Sequence, residues 1–76
     1  MPKLPVVSGL ETVRALERAG FLVSHQTGSH VSLRHMETGR TVSVPVHGGR
    51  DLPTGTVRGI IRDAGLTVVE FCELLG

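Results

Sequence analysis

Phe21–Val46, FLVSHQTGSHVSLRHMETGRTVSVPV, is the stretch that decides the fold. It is interrupted at Thr27-Gly28-Ser29 and again at Glu37-Thr38-Gly39, where glycine and short polar side chains favour turns. Between the interruptions the residues are β-branched or alternate apolar with polar. That pattern predicts strands over Phe21 to His25, Val31 to Met36 and Thr41 to Val46, joined by two hairpin turns. Side chains alternate across a strand, so Val31 and Leu33 share one face while His30, Ser32 and Arg34 share the other. The next strand agrees, with Val42, Val44 and Val46 set against Thr41, Ser43 and Pro45. Such a sheet has one apolar face that must be covered and one that is left bare.

The cover is supplied from both sides of this stretch. Upstream, Ser8-Gly9-Leu10-Glu11 has the spacing of a capping box, and Leu10, Val13, Leu16 and Ala19 recur at helical spacing until Gly20 supplies a stop. Downstream, after the glycine-rich loop HGGRDLPTG, Pro53 suits the first position of a helix carrying Val57, Ile60, Ile61 and Ala64 on one face, with Gly65 at its end. Thr67-Val68-Val69-Glu70 is a second capping box, opening a short last helix with Phe71, Leu74 and Leu75. The order α-β-β-β-α-α is α+β: a three-stranded antiparallel sheet with helices on one face.

A chain of 76 residues holds one small domain, here spanning residues 1–76, and no apolar run is long enough to span a membrane beside it. No apolar segment of signal-peptide length follows Met1-Pro2-Lys3-Leu4-Pro5, so the cytoplasm is the expected location. The single cysteine, Cys72, has no internal partner, and a small core or boundary role is expected for it rather than a reactive one. The formal charge of +1 argues neither for nor against nucleic acid, but all the basic residues except Lys3 are arginine, whose fork suits phosphate. Phe21 and Phe71 are the only aromatic residues, which disfavours a base-stacking platform.

Chemistry has few places to start. His25, His30, His35 and His47 invite a metal, yet His30 and His35 are five positions apart on one strand and face opposite ways, and no cysteine or His-x-x-x-His pair supports a site. His35, on the core side near the strand end, reads as a partly buried, hydrogen-bonded residue. A nucleophile triad lacks an acidic residue spaced to orient a histidine. His30 and Arg34 stand together on the bare face, where a histidine adds nothing to the core. The loop Val46 to Thr56 combines glycines, Arg50, His47 and a helix N-terminus, which suits an anion, although a plain strand-to-helix connection explains the same glycines.

Taken together, the helix ending in Ala19-Gly20-Phe21, the Gly28-Ser29-His30 turn and strand, the strand end Val44-Pro45-Val46-His47, and DLPTGTVRGIIRDAGLTVVEF resemble the HicA family, also described as YcfA-like mRNA interferases. These are the small toxins of HicA/HicB toxin–antitoxin pairs, and the resemblance runs from Ser8 to Leu75. It implies a double-stranded-RNA-binding-domain-like fold, α-β-β-β-α with an extra short C-terminal helix here. It also implies a ribosome-independent endoribonuclease that cleaves mRNA, and a HicB-type antitoxin that masks the active site. The family's catalytic histidine sits in a Gly-Ser-His motif that falls on Gly28, Ser29 and His30.

One histidine suits this chemistry because RNA carries its own nucleophile: the 2′-OH attacks the adjacent phosphorus, and an imidazole exchanges protons at cellular pH. No metal and no cofactor is expected, and the products would be a 2′,3′-cyclic phosphate and a 5′-OH. Gly28 and Ser29 would contact the RNA, and Arg34 would hold the scissile phosphate. Arg50, Lys3 and the loop backbone are further phosphate-binding candidates, with His47 a secondary one. The alternatives are a non-catalytic RNA-binding module and a decayed toxin that only binds its antitoxin. The first is disfavoured because Pro53-Thr54-Gly55-Thr56-Val57-Arg58 holds one basic residue where such modules carry a cluster.

Overall fold

The structure is a computed structural model that describes residues 3–76. Its elements run α1 (Gly9–Arg18), β1 (Phe21–Thr27), β2 (His30–His35), β3 (Thr41–Pro45), α2 (Thr54–Ala64) and α3 (Val68–Leu75). The strands form one antiparallel sheet in the order β1-β2-β3. Helix α1 lies over β1 and β3, α2 lies over β3, and α3 packs against α1. The α+β layering expected from the alternation is therefore the observed one.

Both capping boxes are closed. Ser8 Oγ accepts from the Glu11 N–H at 3.2 Å while the Ser8 N–H donates to Glu11 Oε1 at 2.9 Å. At α3, the Glu70 N–H donates to Thr67 Oγ1 at 3.1 Å and the Thr67 N–H to Glu70 Oε1 at 2.8 Å. Each box satisfies two backbone donors that a helix start leaves orphaned.

Two local expectations are corrected. Leu10 does not join the buried stripe of α1. It is 45% exposed, and the buried face is Gly9, Thr12, Val13, Ala15 and Leu16. Thr12 enters the core without an orphaned hydroxyl, because its Oγ1 donates to the Ser8 carbonyl at 2.9 Å. Gly9 lies so close to β3 that a Cβ there would run into the Pro45 carbonyl oxygen. Pro53 is the N-cap of α2 rather than its first helical residue, with ψ of 146° still extended. It offers no side-chain cap. The far end of α2 closes at Gly65, whose φ of 74° is left-handed.

The core gathers one face of the sheet against the helices. Phe21, Leu33, Val42 and Val44 meet Leu16, Val57, Ile60, Ile61 and Phe71, all buried. Burying each such side chain contributes roughly 1.5–3 kcal/mol, so these contacts are the main stabilising force. Two arginines tie the helix ends. Arg18 donates to the Leu74 carbonyl at 2.6 Å, holding α3 to α1, and Arg40 donates to the Asp63 carbonyl at 3.4 Å, at the C-terminal end of α2. No helix among the described residues is long and apolar enough to cross a membrane.

Candidate functional site

The bare face of the sheet follows from the register. Thr27 pairs with His30 and His30 with Pro45; Ser32 pairs with Ser43; Leu22 pairs with Arg34 and Arg34 with Thr41. Paired residues share a face, so His30, Ser32 and Arg34 stand opposite the buried Val31 and Leu33. His30 is the first residue of β2 and is exposed. It is held there by a two-residue loop, Gly28-Ser29, in which Gly28 has φ of 58° at the first central position, the arrangement of a type II′ turn. The Val46 N–H closes the corner from the other side, donating to the Ser29 carbonyl at 2.6 Å.

His35 contrasts with His30. Its Nε2 is 3.1 Å from the Ala19 carbonyl, and its Nδ1 accepts from the Glu37 and Thr38 N–H groups at 3.2 and 3.3 Å. Both ring nitrogens are committed to the fold, which assigns the proton of the neutral ring to Nε2. The ring also stands edge-on to Phe21, with centroids 5.0 Å apart.

Strict alternation along β1 would place His25 on the core side with Phe21 and Val23. It does not lie there, because the register slips: Val23 pairs with Leu33, but His25 pairs with Ser32. A β-bulge at Ser24 lets two residues oppose one, and turns His25 onto the bare face. Ser24 Oγ donates to the Ser32 carbonyl at 3.1 Å and lies 3.3 Å from His25 Nδ1. Ser24, His25, Ser32, Thr41 and Ser43 line a cleft of about 470 Å³ that also reaches Leu33, Val42 and Asp63 of α2. Residue pattern alone missed this arrangement; the available signal was the run of polar residues Ser24-His25-Gln26 directly after Val23, where alternation fails.

The other candidates divide into two groups. His47 and Arg50 line a second cleft, of about 340 Å³, with the carboxylate of Asp51 and with Pro45, Leu52, Pro53 and Thr56. Since Pro45 also pairs with His30, this cleft adjoins the His30 corner. Arg34 shares the face of His30 but is four residues farther along β2, a backbone separation of about 13 Å at the usual rise per residue. Its guanidinium lies beside Gly39, at the opposite end of the sheet. Lys3 is not brought to this face at all. It lines a groove with Leu4 and the first turns of α2 and α3, including Arg58, Val68 and Val69.

Compared with known families, residues 9–66 match the family model described as the HicA toxin of bacterial toxin–antitoxin systems. The match covers α1, the sheet and α2 and stops before α3. No curated protein matches the chain.

Proposed function

This chain belongs to the HicA toxin family of bacterial toxin–antitoxin systems, and on that premise we propose that it is a cytoplasmic, metal-independent endoribonuclease that cleaves mRNA with His30. The observation that carries the proposal is the placement of His30. It is an exposed imidazole on the bare face, at a turn whose glycine and register fix its position, whereas His35 is consumed by packing and hydrogen bonds. His30 exchanges protons with the RNA while the 2′-OH attacks the adjacent phosphorus, giving a 2′,3′-cyclic phosphate and a 5′-OH. General acid–base help of this kind contributes about 10²–10⁴-fold.

The RNA lies over the turn Gly28-Ser29 and along β2. Arg50 and His47, in the adjoining cleft, hold a phosphate on one side of the scissile bond, and Arg34 takes a phosphate toward the far end of the strand. Assigning Arg34 to a flanking phosphate follows from its separation from His30. Lys3, on the helix side, adds only to the general field. A HicB-type antitoxin covers the bare face and thereby masks His30.

The test is cleavage of a labelled RNA by purified protein in excess EDTA, wild type against His30→Ala, with the new ends identified. Cleavage by wild type alone, leaving cyclic phosphate, supports the reading. Equal cleavage by both, 5′-phosphate ends, or a strict need for added metal would overturn it.

A further inference from the structure

We infer that His25 is a second catalytic residue, acting with His30 on the same phosphodiester; this rests on the endoribonuclease reading above. The chemistry asks for two groups. Transesterification forms the bond from O2′ to phosphorus and breaks the bond from phosphorus to O5′. One proton leaves the 2′-OH and one arrives at O5′, and no atom changes oxidation state. The attacking and leaving oxygens lie roughly in line on opposite sides of phosphorus. One imidazole reaches one of them well, so a base and an acid placed apart serve both.

The bulge provides that spacing. His25 faces Ser32 and Thr27 faces His30, so the two histidines are diagonal neighbours on the bare face. Diagonal neighbours in an antiparallel pair are about 7–8 Å apart, a gap that a phosphodiester fills with an imidazole at either side. An unbulged β1 would leave His25 on the helix-covered side, out of reach of any RNA that His30 touches.

The bulge also orients the ring. Ser24 Oγ has one proton, and the geometry gives it to the Ser32 carbonyl at 3.1 Å. Toward His25 Nδ1, 3.3 Å away, the same oxygen then presents lone pairs, so Nδ1 carries the hydrogen and Nε2 is left for substrate. A histidine whose one nitrogen is fixed by a neighbour while the other faces the reacting atoms has the arrangement that acid–base catalysis uses.

The experiment compares a ribodinucleotide bearing the ordinary 5′ oxygen with one bearing sulfur at that position, which leaves as thiolate without needing a proton. Wild type, His25→Ala, His25→Asn, His30→Ala and His47→Ala are measured on both, with melting curves to confirm folding. His25→Ala and His30→Ala are each expected to slow the ordinary substrate by about 10²–10⁴-fold. The sulfur substrate should restore near wild-type rates to one of them and not to the other. His25→Asn, whose amide nitrogen takes the place of Nδ1 and can still donate to Ser24 but cannot titrate, should behave like His25→Ala.

His25→Ala cleaving as fast as wild type overturns the inference alone, as does rescue of both variants, of neither, or of His47→Ala in place of His25→Ala. Wild type failing on both substrates removes the endoribonuclease reading itself, and this inference with it.

Discussion

His35 Nε2 lies 3.1 Å from the carbonyl oxygen of Ala19, so one imidazole joins the end of α1 to the end of β2. The same ring receives two backbone N–H groups of the β2–β3 turn at Nδ1 and packs edge-on against Phe21. A Cβ at Gly20 would sit 2.8 Å from that Nε2, which explains the glycine after α1 beyond its φ of 103°.

Replacing His35 by alanine removes these bonds and leaves the Ala19 carbonyl and two amides without their partner. We expect a loss of about 2–3 kcal/mol, in the upper part of the range for single substitutions. In a domain of this size each kcal/mol lowers Tm by roughly 4–8 °C. His30→Ala, on the open face, should stay within about 0.5 kcal/mol of wild type. Thermal unfolding followed by circular dichroism checks both, and equal melting of the two variants would refute the division between a structural and a free histidine.

Gly9 and Gly59 should respond to alanine with opposite signs. At Gly9 the new methyl group would meet the Pro45 carbonyl and lie 2.9 Å from the Val46 Cα, all backbone, so α1 would have to lift off β3. The cost of such overpacking, about 1–3 kcal/mol, exceeds the gain in helix propensity. At Gly59, inside α2, the nearest atom is the end of the Arg62 side chain at 3.9 Å, so Gly59→Ala should stabilise by about 0.5–1 kcal/mol. Urea midpoints of the two variants decide it.

These sites show what the sequence could carry and what it could not. The bare face and the exposure of His30 were readable because the valines of β2 and β3 alternate without a fault, and sheet period is a property of the local chain. Turn glycines and both capping boxes were readable for the same reason. Leu10 and Thr12 were not: apolar spacing fits either residue's neighbours, and only the direction from which β3 meets α1 selects Thr12 for burial. The placement of His25 was hidden because a bulge is a relation between two strands, set here by Ser24 reaching the Ser32 carbonyl. The distance between His30 and Arg34 follows from strand rise alone, but the approach of the Arg34 guanidinium to Gly39 is a side-chain contact across the β2–β3 turn that strand rise does not fix.

Gly28→Ala should damage activity more than stability. The position is open, with nothing within 4 Å of a new Cβ, so its cost comes only from holding an L-residue at φ of 58°. That amounts to about 1–2 kcal/mol. The turn, however, sets the Thr27–His30 pair, and a displacement near 1 Å at a reacting group can cost about 100-fold. A cleavage rate reduced at least tenfold with a melting point lowered by no more than about 15 °C is expected; an unchanged rate would show that the turn does not position His30.

Helix α3, outside the family match, is held by Phe71 in the core and by the Arg18 bond to Leu74. Phe71→Ala is expected to cost about 3–5 kcal/mol, as for other buried aromatic truncations, and to unfold most of the protein near body temperature. Arg18→Ala should instead loosen only the last turn. Hydrogen exchange is the measurement: faster exchange of the α3 amides with the sheet amides unchanged is the expected result for Arg18→Ala, and uniform acceleration would contradict it.

The antitoxin prediction follows from what the fold leaves uncovered. Helices bury one face of the sheet, and the other displays His25, His30, Ser32, Ser43 and Arg34 with Leu22, which is 55% exposed. A partner that binds the folded toxin and not its unfolded chain stabilises it by mass action, by about 2.7 kcal/mol at a hundredfold excess over Kd. With roughly 4–8 °C per kcal/mol, the toxin should then melt more than 10 °C higher in the complex. Its His30 imidazole should become inaccessible to diethylpyrocarbonate at the same time. An interface mapped to α3 alone, with His30 still reactive, would mean that neutralisation works by some route other than covering the sheet.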